Sequence, residues 1–211
     1  TQNQAFSALL FLYREVLGLD FPELQDVVRA NLPKRLPVVL TRPEVSRLLD
    51  NLERSSWLMA SLLYGSGLRL RECLSLRVKD LDFGYSQVTV RAGKGAKDRV
   101  TMLPRALCEP LESHLGKVLE LHAKDLAEGF GRAPLPGALA RKYPNEDREY
   151  GWQFVFPSST RSPGREDGIV RRYHSSPRTL QRAIKQARTS AGLAKPVSCH
   201  TLRHSFATHL L

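Results

Sequence analysis

The feature that most constrains the fold is a pair of short alternating segments set between long stretches of helical pattern. Residues 87–91 and 99–103 alternate apolar and polar side chains around the Gly-rich stretch 93–97, which predicts a β-hairpin with a basic turn. Amphipathic helical patterns precede and follow this hairpin. The order of helices, a small β-insert and further helices predicts a mainly α fold with a small antiparallel β-sheet.

Capping residues mark where two of the helices begin. Thr41 and Glu44 form a capping box with Pro43 in the first turn, and Ser176 before Pro177 predicts a second helix start. Helical patterns also span about residues 2–17, 56–64, 70–76, 105–127, 139–143 and 200–211. The apolar run 152–156 predicts a buried strand, and His114 and His122 are expected on a helix surface.

The composition shifts along the chain and predicts two domains. Residues 1–18 are expected to end a first helical domain, residues 19–39 form a Pro-interrupted linker, and residues 40–211 form the second domain. The chain begins with Thr1, and its last helical pattern has no C-cap. We therefore expect an internal piece of a longer reading frame, truncated at the C-terminus.

The charge balance favours a polyanionic partner. The 211 residues include 32 Lys and Arg against 21 Asp and Glu, a formal net charge of +11. Residues 161–188 alone contain eight Lys or Arg and two acidic residues. Because cationic side chains neutralise phosphates, nucleic acid is the simplest partner, and its binding should depend on salt.

Several other classes of protein are disfavoured. No stretch approaches the roughly 20 apolar residues of a membrane span, so no membrane association is expected. Three widely spaced cysteines outline neither a disulfide framework nor a zinc site, and no carboxylate cluster suggests another metal. We expect a reducing, cytoplasmic compartment.

Four basic residues are candidates for a phosphate site. Arg69 follows a tight Gly-Ser-Gly turn, Lys94 stands between two glycines at the hairpin tip, and His200 and Arg203 share one helix face. Two guanidiniums and an imidazole can bind a phosphate whose negative charge grows in a transition state. Taken singly, each is also typical of a surface cation, and Glu72 of an ordinary helix ion pair with Arg69.

In combination, residues 63–82, 93–99 and 200–209 resemble the tyrosine recombinase family, and the resemblance extends from Leu40 to Leu211. It implies the family's catalytic-domain fold, with residues 1–18 as the end of a helical core-binding domain. It also implies that Arg69, Lys94, His200 and Arg203 are catalytic and that Glu72 supports Arg69. The family's nucleophilic Tyr lies beyond the His-x-x-Arg box, whereas all six tyrosines here precede His200. We therefore expect the 211 residues alone to bind DNA weakly and to cleave nothing.

Within that family, residues 135–144 and 152–157 resemble the integron integrases, which carry an extra helix in an insertion, here about residues 129–152. Residues 170–174 resemble their Arg-Arg-His-His segment near extrahelical DNA bases, with Tyr in place of the first His. The DNA contacts expected on this basis, together with the basic hairpin, are Lys97, Arg99, Arg171, Arg172, Tyr173 and His174.

The resemblance implies DNA strand transfer through a 3′-phosphotyrosyl intermediate, by a homo-tetramer assembled on DNA, with no cofactor and no metal. For an integron integrase the sites would include folded single-stranded hairpins that carry gene cassettes. Two alternatives stay open. One is a phage-type or Xer-type recombinase that acts on duplex sites, and the other is a DNA-binding accessory protein without chemistry.

Overall fold

A computed structural model of the protein describes residues 2–19, 36–91, 98–136 and 139–210. The chain divides into two compact units, Thr1–Leu36 and Pro37–Leu211. In the first unit, α1 (Gln2–Phe11) continues into a π-helical turn over Leu12–Val16. The helix predicted over residues 2–17 is thus confirmed, with a wider last turn than expected.

Three helices open the second unit: α2 (Arg42–Asp50), α3 (Arg54–Gly65) and α4 (Leu70–Ser75). The predicted capping box is present at the start of α2. The Thr41 backbone N–H donates to Glu44 Oε2 at 2.7 Å, and the Glu44 N–H donates to Thr41 Oγ1 at 3.4 Å. Because two donors are satisfied reciprocally, this helix start is encoded locally.

The predicted hairpin supplies two of the three strands of an antiparallel sheet. Strands β1 (Leu81–Asp82), β2 (Gln87–Val90) and β3 (Arg99–Met102) lie in that order, with Val90 opposite Arg99. The two-residue strand β1 was not predicted. The hairpin turn, residues 92–97, lies outside the described residues.

The rest of the unit is mainly helical. Helix α5 (Cys108–Ala127) follows a 3₁₀ turn at Arg105–Leu107, and α6 (Leu139–Lys142) is short. Further 3₁₀ turns lie at Val78–Asp80, Glu146–Arg148 and Tyr150–Trp152. A small ladder of β4 (Ser162–Pro163) and β5 (Val170–Arg171) precedes α7 (Pro177–Ser190) and α8 (Cys199–His209). The predicted fold class, mainly α with a small antiparallel sheet, is confirmed.

Two local predictions are wrong. Residues 152–156 do not form a strand, since Trp152 ends a 3₁₀ turn and Phe154 makes one isolated bridge with Arg77. The histidines of α5 are not surface residues either. His114 Nε2 lies 2.8 Å from the Val155 carbonyl, and His122 is buried, because loops pack over both.

Helix α3 is the centre of the hydrophobic core. It packs against α4, α5, α7 and α8, and Leu62 and Leu63 in it are fully buried. Leu180 and Ile184 of α7 and Leu202 of α8 join the same core. This packing places the start of α8 near the turn that follows α3. Across the described ranges, no helix has the length and apolarity needed to span a membrane.

Candidate active site

The turn between α3 and α4 presents Arg69 at a helix start. Gly67 has φ +62°, and a Cβ placed there would lie 2.5 Å from ring carbons of Phe206, so only glycine fits without strain. Arg69 is the N-cap of α4, and its backbone N–H donates to Glu72 Oε2 at 2.8 Å. The tight turn predicted from the Gly-Ser-Gly sequence therefore fixes both the backbone and the direction of Arg69.

One buried carboxylate gathers three guanidiniums. Arg69 Nη1 donates to Glu72 Oε1 at 2.7 Å. Arg99 donates to both oxygens of Glu72, at 2.9 and 2.8 Å, and Arg203 Nη1 lies 3.6 Å from Oε2. The Glu72 side chain is only 9% exposed, whereas the three arginine side chains are 30–38% exposed. The guanidiniums thus line an open, positively charged site over a buried anion.

The pKa values reflect this arrangement. Burial by itself would raise the pKa of Glu72, but hydrogen bonds from Arg99 and Arg69 lower it to about 2. Burial and the neighbouring Arg69 charge lower the pKa of Arg203, although a guanidinium stays protonated in proteins. Glu72 is therefore ionised at neutral pH and holds the arginines in place.

Helix α8 contributes the other part of the site. Ser198 caps the helix by accepting from the Thr201 N–H, and Arg203 Nη1 donates to the Gly67 carbonyl at 2.7 Å. His200 lies one turn before Arg203, is exposed, and lines a small cavity with Leu70 of α4. The α8 residues therefore face the start of α4, where Arg69 and Glu72 lie.

The structure brings together four of the residues singled out in the sequence: Arg69, Glu72, Arg99 and Arg203, with His200 one turn away on α8. Lys94 and Lys97 lie outside the described residues. Arg99 is predicted as a DNA contact, but its guanidinium is engaged on Glu72. In the sequence, the only indication of this inward contact was the alternation of side chains along β3, which places Arg99 on the same face as Thr101.

The residues expected near extrahelical bases have mixed environments. Arg172 is buried, donates to both oxygens of Asp125 at 2.5 and 2.7 Å, and donates to the Ser158 carbonyl at 2.7 Å. A DNA contact by Arg172 would require this pair to open, so the residue has a structural place in the fold. Arg171 makes a similar fork with Asp167, but at the surface.

Tyr173 and His174 are half-buried and line one cleft together with Pro134 and Leu135 of the predicted insertion. His174 Nδ1 lies 2.8 Å from the Ser175 carbonyl, and its ring meets Phe154 edge-on at a centroid distance of 5.3 Å. Of the four residues predicted in this segment, Arg171 also lines this cleft, and only Arg172 does not.

The predicted insertion is attached to the core through Arg77. Its buried guanidinium donates to the Trp152 carbonyl at 2.5 Å and to the Pro134 carbonyl at 2.6 Å, and it stacks on Phe154 at 4.5 Å. Gln153, also buried, donates to three backbone carbonyls of the insertion. This segment, predicted to be an insertion, is therefore held by buried polar contacts, which sequence patterns did not reveal.

A basic surface lies along α7. The α7 stripe consists of Arg178, Arg182 and Lys185, which are exposed and spaced at helical intervals along one face. Helix α7 contains no acidic residue, and within the described ranges no ion pair engages the stripe. These cations are available to an external polyanion. In the described part of the chain, no group of His, Cys, Asp and Glu could hold a metal ion.

This mainly helical domain with a small antiparallel sheet has the fold of tyrosine recombinase catalytic domains. The chain belongs to the phage integrase family, whose sequence model matches residues 38–211.

Relatives of known name support this assignment. An integrase/recombinase of Escherichia coli is 49% identical over 211 residues, covering 100% of this chain and 63% of the relative. The tyrosine recombinase XerA of Thermococcus onnurineus is 33% identical over 192 residues, covering 90% of this chain and 54% of the relative. This chain therefore spans between half and two thirds of the length of these proteins.

Solved structures show the same fold. A crystal structure of XerA recombinase matches 99% of this chain and 61% of its own length, with 26% identity and a TM-score of 0.54. XerH site-specific recombinase bound to difH substrate matches 96% of this chain and 52% of its own length, with 22% identity and a TM-score of 0.56. The second similarity concerns the fold alone.

Proposed function

We propose that this chain is the phosphate-binding part of a DNA strand transferase that performs site-specific recombination. The observation that carries the proposal is the convergence of Arg69 and Arg203, far apart in the sequence, on the single carboxylate of Glu72. Each guanidinium is about one third exposed and can donate two parallel hydrogen bonds to phosphate oxygens. The site is suited to a phosphodiester whose charge grows in the transition state.

In the proposed reaction, a tyrosine oxygen attacks the scissile phosphorus, a P–O(Tyr) bond forms, and the bond to the 5′-oxygen breaks. Arg69 and Arg203 bind the non-bridging oxygens, His200 donates a hydrogen bond or accepts a proton, and Lys94 protonates the leaving 5′-oxygen. The phosphotyrosyl link conserves the phosphodiester energy, so rejoining needs neither ATP nor metal. All six tyrosines of the chain precede His200, so in this proposal none of them is the nucleophile.

The DNA would be held mainly by the α7 stripe. Its three cations project from one face and are not engaged by carboxylates in the described residues, so they can neutralise backbone phosphates. Arg171 is a weaker candidate because Asp167 occupies its guanidinium. In the assembled recombinase, four such chains would act together on two DNA sites.

The finer proposal is an integron integrase that moves gene cassettes and accepts folded single strands. Its support is the insertion, which we assign to about residues 129–152 of a catalytic domain over residues 40–211, with residues 1–18 ending a core-binding domain. The insertion forms one wall of the cleft that contains Tyr173 and His174. An aromatic ring there can stack on an unpaired base.

The experiment is a comparison of DNA ligands by fluorescence anisotropy with the whole chain. A labelled hairpin with unpaired bases should bind more tightly than a duplex of the same stem sequence. Tyr173→Ala should remove that preference, whereas Tyr85→Ala, at an exposed tyrosine of the β1–β2 turn, should not. Equal affinity for both ligands would instead favour a recombinase of duplex sites.

A separate measurement tests the coarser proposal. Replacing the α7 stripe by glutamines should weaken the binding of hairpin and duplex alike. If the triple variant binds both DNAs as tightly as the native chain, this DNA-binding surface is refuted.

A further inference from the structure

Of the three arginines in the cluster, Arg99 makes the most side-chain hydrogen bonds to the Glu72 carboxylate. It donates from Nη1 to Glu72 Oε1 at 2.9 Å and from Nη2 to Oε2 at 2.8 Å, which is a two-pronged contact. Arg69 approaches only Oε1 with its side chain, and Arg203 stays at 3.6 Å. The geometry of the cluster therefore depends on a residue of the hairpin, outside the motifs that contain the other two arginines.

The contacts to Glu72 fill its acceptor sites. A carboxylate offers about four lone-pair positions. Glu72 accepts one hydrogen bond from Arg99 and one from Arg69 at Oε1, and one from Arg99 and one from the Arg69 backbone at Oε2. Arg203 is left without a short bond to this carboxylate, and its Nη1 donates to the Gly67 carbonyl at 2.7 Å instead.

The net charge of the cluster also depends on Arg99. Three guanidiniums and one carboxylate carry two net positive charges. Without Arg99 the net charge falls to one, and two acceptor positions on Glu72 open toward Arg203. Since that guanidinium is already near, it would move onto Glu72 and turn its donors inward.

Strand β3 is fastened to the active-site turn at a second point. Thr101 Oγ1 donates to the Ser66 carbonyl at 2.9 Å, in the turn that leads to Arg69. Thr101 and Arg99 lie two residues apart and point to the same face, whereas Val100 and Met102 on the other face are exposed. Arg99 thus connects the base of the hairpin to the Arg69–Glu72 pair.

We propose that Arg99 is a positioning residue for anion binding: by occupying Glu72 with a two-pronged contact, it keeps Arg69 and Arg203 directed at the phosphate and couples the hairpin to the site. The inference rests on the proposed function, because it concerns the same phosphate site. It differs from the DNA contact predicted for Arg99 from the sequence, in which the guanidinium would touch the anion directly.

The test uses inorganic sulfate as the probe, bound to the whole 211-residue chain and followed by NMR titration. Arg99→Gln should weaken sulfate binding about tenfold, the size of one lost charge-assisted interaction. Arg105→Gln removes an exposed arginine beyond the end of β3 and should change the affinity less than twofold. Unchanged affinity in Arg99→Gln would overturn the proposal.

A double-mutant cycle separates positioning from direct contact. On the Glu72→Gln background there is no carboxylate for Arg99 to occupy, so the further change Arg99→Gln should cost clearly less than tenfold, with only the effect of the lost charge remaining. If Arg99 touched the anion directly, the tenfold loss would persist on that background. Arg99→Lys keeps the charge but not the fork, and we expect a partial loss, about threefold. Native affinity in Arg99→Lys would also contradict the proposal.

The pH profile is a readout that a purely structural role would not change. In the described part of the native chain, Arg69, Arg99 and Arg203 are the charged groups facing Glu72, and guanidiniums stay protonated in proteins. Without Arg99, Glu72 should take up a proton at higher pH, so sulfate affinity should recover toward the native value as pH falls. Taking the ratio of the two chains' affinities removes any pH dependence that they share. If sulfate affinity depends on pH in the same way in the native chain and in Arg99→Gln, the coupling is refuted. This comparison does not need the Glu72→Gln variant and can be made even if that variant fails to fold.

The two proposals fail differently. If Arg69→Gln and Arg203→Gln leave sulfate binding unchanged, the phosphate site of the proposed function is refuted. If these variants weaken binding and Arg99→Gln does not, only the positioning role of Arg99 is refuted. Circular dichroism melts of each variant ensure that the compared chains are folded.

Discussion

Replacing Gly67 by alanine tests the turn on which the site is built. The residue has φ +62°, and an added Cβ would lie 2.5 Å from two ring carbons of Phe206. Gly192, at the end of α7, provides a matched control, since its φ is also +62° but nothing lies within 4 Å of an added Cβ. The two substitutions share the backbone penalty and differ only in the clash.

The magnitudes follow from these two contributions. A left-handed conformation costs a residue with a Cβ about 1–2 kcal/mol, which is the loss expected for Gly192→Ala. Gly67→Ala should lose a further 1–3 kcal/mol, roughly, because the Phe206 ring must move within a packed site. The Gly67 carbonyl also accepts the Arg203 hydrogen bond, so sulfate affinity should fall with stability.

The assay is urea unfolding followed by circular dichroism, with both variants measured beside the native chain. Phe206→Leu on the Gly67→Ala background should recover part of the extra loss, because the smaller side chain can withdraw. The reasoning is refuted if Gly67→Ala and Gly192→Ala lower the free energy of unfolding by equal amounts.

Three further predictions concern charged groups. Asp125→Asn leaves the buried Arg172 guanidinium without its counter-ion and should lower the free energy of unfolding by about 3 kcal/mol, measured in urea; a loss below about 1 kcal/mol would contradict a buried pair. Since the pKa of Glu72 is lowered to about 2, its stabilisation is complete above its ordinary pKa and is lost as pH falls from about 4.5 toward 2. Thermal melts should show this loss in the native chain and less of it in Glu72→Gln. Removing the α7 stripe should reduce the slope of log K against log salt by about 0.9 per lost phosphate contact, measured by anisotropy, and an unchanged slope would exclude these contacts.

The helix starts and the hairpin could be predicted because their signals are local. Thr41 and Glu44 meet within one turn, and the Gly-rich turn lies between strands that pair in register. The apolar run 152–156 misled the prediction, since a short buried segment looks the same whether it pairs as a strand or packs as a turn. Its neighbours in space, Arg77 among them, decided the outcome.

The candidate site was partly predictable for a related reason. Arg69, Glu72 and Arg203 stand in motifs that the family resemblance marks, and the structure places them together. The sequence did not distinguish cations that bind an internal carboxylate from cations available to DNA. Arg99 and the α7 stripe both look like surface charge in a strongly basic chain.

By itself, the sequence determined where helices begin, where the chain reverses in a hairpin, and that its charge suits a polyanion. Only the tertiary structure decided which cations are engaged within the protein: Arg99 on Glu72, 27 residues away, and Arg172 on Asp125, 47 residues away. The physical reason is that caps and turns depend on neighbours within a few residues. An ion pair between distant segments depends on how helices and strands pack, and no spacing along the chain encodes that distance.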